Sequence, residues 1–168
     1  MFVERSEATQ AIQALAGAAC TELLQAYGVE LRPALGWTET DEVMLSGVMG
    51  FVGDHVRGTC LLAAPQGTIE AAAPEGAATR DWVGELANQL VGRLKAKLMA
   101  RGATIALSTP VVLRGVKVSP LPRTNVEPVV FESKAGRVLV WLEVEVEKDF
   151  QLSEERALQA SEGELLVF

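Results

Sequence analysis

Apolar residues recur at helical spacing between Ser6 and Tyr27, where Ile12, Leu15, Ala16, Ala19, Leu23 and Leu24 fall on one side. Ser6 has the chemistry of an N-cap, and Gly28 stands where a helix stop belongs, so the pattern predicts an amphipathic helix over about 6–27. The period then changes. Runs rich in Val, Leu and Met, broken by Gly and Pro, predict strands over 29–35, 43–52 and 56–64. The Gly53-Asp54 step between the last two fits a tight hairpin turn. Pro65 and Pro74 bracket an alanine-rich stretch that suits one or two helical turns.

Helical spacing returns over 79–101. This segment stops at Gly102 and carries Lys95, Lys97 and Arg101 near its C-terminal end, where cations suit the helix dipole. Strand-like runs follow at 104–107, 111–118, 129–132 and 137–147. The last begins wholly apolar and ends in alternation (Glu143, Glu145 and Glu147 against Val144 and Val146), which predicts burial on both faces at its start and half-exposure toward its end. The Pro-rich run 119–128 reads as a loop, 153–160 as a helical turn or two, and Leu165, Leu166, Val167 and Phe168 as a short apolar tail. Helix then strands, followed by helix then strands, is the order of a degenerate internal duplication. The fold class it implies is α+β, a single domain in which an antiparallel sheet packs against two long helices.

Composition narrows the chemistry. The formal net charge of −7 is spread along the chain and leaves no basic stripe for nucleic acid. The apolar runs are too short for a membrane span, and residues 1–5 lack the basic and apolar regions of a signal peptide, so the expected location is the cytoplasm. The two cysteines, Cys20 and Cys60, fall in a helix and a strand and read as buried thiols. The one histidine, His55, has no second histidine or Cys-x-x-Cys pair to build a metal site with and reads as a loop or strand-edge residue. Chemistry is left to carboxylates, amides and hydroxyls.

The segment from Asp81 to Lys95 carries such groups in order. At about 100° per residue, Val83, Leu86, Leu90, Leu94 and Leu98 share the side that must face the sheet. Asp81, Glu85, Asn88 and Gly92 fall within roughly 60° of arc on the opposite side, with Lys95 close by. Taken alone, the stripe is what a solvated helix face presents, and Glu7-x-x-Gln10 and Glu22-x-x-Gln25 show similar spacing. Gly92 points further: a mid-helix glycine costs about 1 kcal/mol against alanine, and often marks close approach by another backbone or a ligand.

These residues resemble the signature of the CheC/CheX/FliY phosphatases, Asp/Ser-x3-Glu-x2-Asn followed by a proline some twenty residues on. Here it is Asp81-x3-Glu85-x2-Asn88 with Pro110. The stretch from Ser108 to Gly115 and the Arg57-Gly58 pair in the hairpin segment 47–59 are also similar to the family, and the resemblance covers about 6–148. It implies a phosphatase that removes the phosphoryl group from an aspartate of a CheY-like receiver. Asn88 would orient the attacking water and Glu85 would pair with the receiver's active-site lysine. Asp81, Gly92 and Lys95 would border the contact, and Pro110 would be structural. No cofactor is expected on this chain; the Mg²⁺ would belong to the receiver.

No offset of the first helix onto the second yields another Glu–Asn pair, so one site is expected, as in CheX-like members. The family also implies a possible homodimer. Two other readings stand beside the enzyme: a catalytically silent module that binds a receiver or a flagellar-switch component, and an unrelated ligand-binding α+β domain. Retention of both Glu85 and Asn88 separates the first of these from the enzyme.

Overall fold

A computed structural model describes residues 1–3, 6–121 and 126–154. The helix expected over 6–27 is α1 (Glu7–Ala26). Ser6 caps it reciprocally with Thr9: the Thr9 N–H donates to Ser6 Oγ (3.2 Å) and the Ser6 N–H to Thr9 Oγ1 (2.8 Å). At its other end Gly28 takes φ +80°, the Gly28 N–H reaches the Gln25 carbonyl (3.0 Å), and the Val29 N–H reaches that of Leu24 (2.9 Å). This paired closure satisfies two carbonyls of the last turn and fixes where Tyr27 stands.

The strands form one antiparallel sheet. The sheet runs β2 (Arg32–Pro33), β7 (Val129–Ser133), β8 (Gly136–Glu147), β4 (Val56–Pro65), β3 (Val43–Val52) and β5 (Ala106–Leu107). Two strands lie off this path: β6 (Val111–Val116) also pairs with β3, and β1 (Phe2–Val3) pairs with the end of β8. A short helix, α2 (Gln66–Ala72), and the long α3 (Thr79–Met99) lie between β4 and β5. The expected duplication is visible in the topology. Hairpins β3–β4 and β7–β8 meet along β4 and β8, and each carries on its outer edge a strand from the other half, β6 on β3 and β2 on β7. The helices are exchanged likewise, α1 over β8 and α3 over β3. Neither half owns a complete core.

Several expected strands are shorter than the sequence suggested. The run 29–35 pairs only over Arg32–Pro33, with one further bond from the Ala34 N–H to the Val130 carbonyl (2.9 Å). The run 111–118 stops at Val116, because Lys117 takes φ 55°, a left-handed conformation that ends pairing. The run 104–107 pairs only over Ala106–Leu107. At the hairpin, Asp54 and His55 form the turn and the Gly53 N–H donates to the Val56 carbonyl (2.8 Å). Glycine is required at 53 by close approach and not by the turn: a Cβ there would stand 2.0 Å from the Thr104 carbonyl oxygen. Ser153 and Glu154 lie in no helix, while 155–160 of the expected terminal turns and the tail 165–168 fall outside the described residues.

The core lies between the helices and one sheet face. Val83, Leu86, Leu90, Leu94 and Leu98 of α3 are all at most 1% exposed. The other face buries Leu61, Ala63, Val130, Leu139 and Trp141, with Trp37 edge-on to Trp141 at 5.2 Å. Val138 to Leu142 are therefore buried on both faces, as their apolar run implied. The half-exposed alternation expected further along β8 fails at Glu145, which is 8% exposed. Its cross-strand neighbour Arg57 donates Nε–H to it at 2.5 Å and lies 4.2 Å over the Phe2 ring, so the pair is held against the sheet. His55 sits at the hairpin, stacked on Phe150 and paired with Glu147.

Helix α3 comes unusually close to β3. A Cβ on Gly47 would stand 2.6 Å from Ala87 Cβ and 3.0 Å from the Val83 carbonyl oxygen. Gly47→Ala is expected to destabilise the fold by about 1–3 kcal/mol, because the overpacking outweighs the gain in strand propensity, read as a lower urea midpoint at unchanged slope. Burial pushes the Cys60 thiol up to about 12, and that of Cys20 higher still, from burial and from Cys60 beside it. Both folded values exceed the ordinary 9.0, so stability is full below that pH and falls as pH rises from 9.0 towards 12. Urea titrations at pH 8 and 10.5 check this. A thiol reagent at pH 8 should label neither cysteine until the chain unfolds.

Candidate functional site

Rotation of α3 is set by its buried side. With Val83, Leu86 and Leu90 seated in the core, Asp81, Glu85 and Asn88 are exposed on the outer side, as the helical spacing required. Glu85 and Asn88 are one turn apart, about 4.5 Å along the axis. Beside them the chain from Pro110 into β6 runs against the helix. A Cβ on Gly84 would lie 3.3 Å from Val112 Cγ2 and 3.7 Å from Pro110 Cγ, so glycine at 84 lets that strand press on the helix. An open depression results, lined by Arg80, Asp81, Gly84, Glu85, Asn88, Pro110, Val111 and Val112.

Pro110 therefore does more than bend the chain between β5 and β6: it walls the depression beside Glu85 and Asn88. Arg80, Gly84, Val111 and Val112 were not singled out in the sequence. Gly84 carried the same signal as Gly92, a glycine inside a helix, whereas Val111 and Val112 read only as strand. Gly92 and Lys95 lie outside the depression, further along α3 and both half-buried. Among the described residues nothing stands within 4 Å of a Cβ built on Gly92, so none of their packing requires glycine there. Lys95 makes no ion pair among the described residues.

The two central side chains differ in their commitments. Glu85 Oε1 accepts a hydrogen bond from Gln89 Nε2 at 2.8 Å. Among the described residues the Asn88 amide makes no hydrogen bond, so its carbonyl and its NH₂ both face outward unspent. An amide in that state can accept from and donate to one water molecule at once. The corresponding pairs on α1 are set differently: Glu7 lines an open depression that Gln10 does not share, and Glu22 accepts from Lys97 Nζ at 2.8 Å, an ion pair that ties α1 to α3.

Among the described residues there is no group of three or more His, Cys, Asp or Glu that could hold a metal ion, and no helix is long and apolar enough to cross a membrane. Solved structures share the fold. The chemotaxis protein CheX from Vibrio vulnificus is 23% identical with a TM-score of 0.67, covering 79% of this chain and 95% of its own. CheX from Desulfovibrio desulfuricans is 22% identical with a TM-score of 0.65, covering 79% and 97%. A chain of the CheX–CheY–BeF₃–Mg²⁺ complex from Borrelia burgdorferi is 16% identical with a TM-score of 0.55, covering 83% and 99%. No curated protein matches the sequence. The family described as chemotaxis phosphatase CheX matches residues 45–134, a span that holds the β3–β4 hairpin from Leu45 on, all of α3 and the Pro110 wall, and this chain belongs to that family.

Proposed function

We propose that the chain hydrolyses the aspartyl-phosphate of a CheY-like receiver in the cytoplasm, with Asn88 and Glu85 as the working pair. The observation that carries this reading is the exposed, uncommitted Asn88 amide one turn from an exposed carboxylate, over a depression that another protein can enter. Phosphoryl transfer needs positioning and electrostatics more than covalent help. The Asn88 amide enters beside the phosphoryl group and orients the attacking water in line with the P–O bond. Being neutral, it adds no repulsion against the phosphoryl oxygens, which a second carboxylate would. Water attacks phosphorus, the bond to the receiver's aspartate breaks, and phosphate leaves.

Glu85 pairs with a receiver lysine and sets the docking angle, so that one helix face engages both groups in one event. The Mg²⁺ is the receiver's; the Borrelia relative has been solved together with CheY, BeF₃ and Mg²⁺. Asp81, Gly92 and Lys95 border the contact, and at Gly92 the open space above the helix admits partner backbone.

The test is decay of a phosphorylated, Mg²⁺-bound CheY-like receiver. Wild type should accelerate it. Asn88→Ala should lower that acceleration by about 10²-fold, of the order seen when one positioned polar group is removed from a transition state, with receiver binding kept. Glu85→Ala should weaken binding, raising KM by tenfold or more, as for truncating a charged pair at an interface. An unchanged decay rate with every receiver tried would favour the silent binding module instead. Gly92→Ala should stabilise the free protein by about 1 kcal/mol, because no atom opposes the added methyl group. It should nonetheless raise KM, so a melting curve and a phosphatase assay on one variant separate the helix's own preference from the partner's demand.

A further inference from the structure

Glu85 does not stand alone on its helix. Its Oε1 accepts from Gln89 Nε2 at 2.8 Å, and Gln89 Oε1 in turn accepts from the Tyr27 hydroxyl at 2.9 Å. The Glu85 carboxylate can only accept, so it takes the NH₂ end of the Gln89 amide; the carbonyl end is then turned to Tyr27, whose hydroxyl donates to it and holds the amide in that orientation. Tyr27 is itself held twice. Its backbone N–H donates to the Leu24 carbonyl at the end of α1 (3.1 Å), and its ring meets Trp82 edge-on at 4.8 Å and 82°. Trp82 is buried in the first turn of α3. A rigid chain of contacts thus leads from the end of one helix to the carboxylate on the other.

From this geometry we infer that Tyr27 and Gln89 are positioning residues that hold the Glu85 carboxylate in its docking orientation before the partner arrives. The inference rests on the phosphatase reading and adds the device by which this chain prepares one of its two working side chains. An exposed glutamate samples many rotamers, and ordering such a side chain at an interface weakens binding. Gln89 occupies one carboxylate oxygen and leaves the other for a partner cation. Asn88, which contacts neither residue through a hydrogen bond, keeps its freedom to meet the water.

Tyr27→Phe tests this, because it removes the hydroxyl and keeps the ring against Trp82. In the free wild-type protein the Gln89 side-chain amide should be ordered by NMR relaxation; in Tyr27→Phe it should become mobile. With the phosphorylated receiver, Tyr27→Phe should raise KM about threefold to tenfold, the penalty for ordering one long side chain on binding, with kcat unchanged. Gln89→Leu should do the same, and Tyr27→Phe should have no further effect once Glu85 is Ala, because it acts only through that carboxylate. A purely structural role would instead lower the melting temperature and persist in the Glu85→Ala background. If wild type is active while Tyr27→Phe leaves KM unchanged, or if Gln89 is mobile in wild type, the clamp is refuted and the phosphatase reading survives. If wild type accelerates no receiver although Gln89 is ordered, the phosphatase reading fails and takes the docking role with it.

Discussion

Helix α3 lies so close to β3 that the strand can carry no side chain at the crossing. At Gly47 the Val83 carbonyl and the Ala87 methyl occupy the space a Cβ would need, and at Gly84 the helix in turn omits its own Cβ where Val112 and Pro110 press in. Two glycines, one on each element, clamp α3 between β3 and the start of β6. A helix held this closely cannot roll, since a rotation would drive a side chain into backbone. The outward aim of Glu85 and Asn88 follows from that restriction.

The exchange between halves extends the constraint to the whole domain. Each hairpin takes its edge strand and its covering helix from the other half, so the core that orients α3 is not assembled until both halves are in place. Apolar surface from α1, α3 and both hairpins meets in one buried cluster. The two halves have nonetheless diverged in use. The outer face of α3 carries the candidate pair Glu85 and Asn88, and Tyr27 at the C-terminal end of α1 donates to Gln89 on that helix.

The site follows a division of labour among polar groups. Glu85 is restrained by its neighbour four residues on, a residue pair that shares a helix face by geometry alone. Asn88 is left without a hydrogen bond among the described residues. A group that must bind a partner gains from being ordered in advance; a group that must adjust to a water molecule loses if its bonds are already spent. Neither is buried, so neither carries the desolvation penalty an enclosed active site would impose.

Read as a string of residues, the chain disclosed its α+β class, both long helices, the β3–β4 hairpin, the two strands of β7 and β8 and the polar stripe of α3, because each of these is written in local pattern. Spacing placed Glu85 and Asn88 on one exposed helix face, but it was the resemblance to the Asp-x3-Glu-x2-Asn signature that singled them out, because similar pairs on the first helix share the spacing. What spacing could not show was anything made by two segments meeting. The wall formed by Pro110 and Val112, the glycine at 53 demanded by the Thr104 carbonyl, the burial of Glu145 under Arg57 and the bond from Tyr27 to Gln89 all join residues far apart in sequence. Pairing was likewise undecided by strand propensity at 29–35, where only Arg32 and Pro33 lie in register with β7. The local sequence determined which face of α3 would be polar. Only the tertiary structure decided what stands beside it, because contacts between distant segments depend on backbone approach, and periodicity carries no record of that.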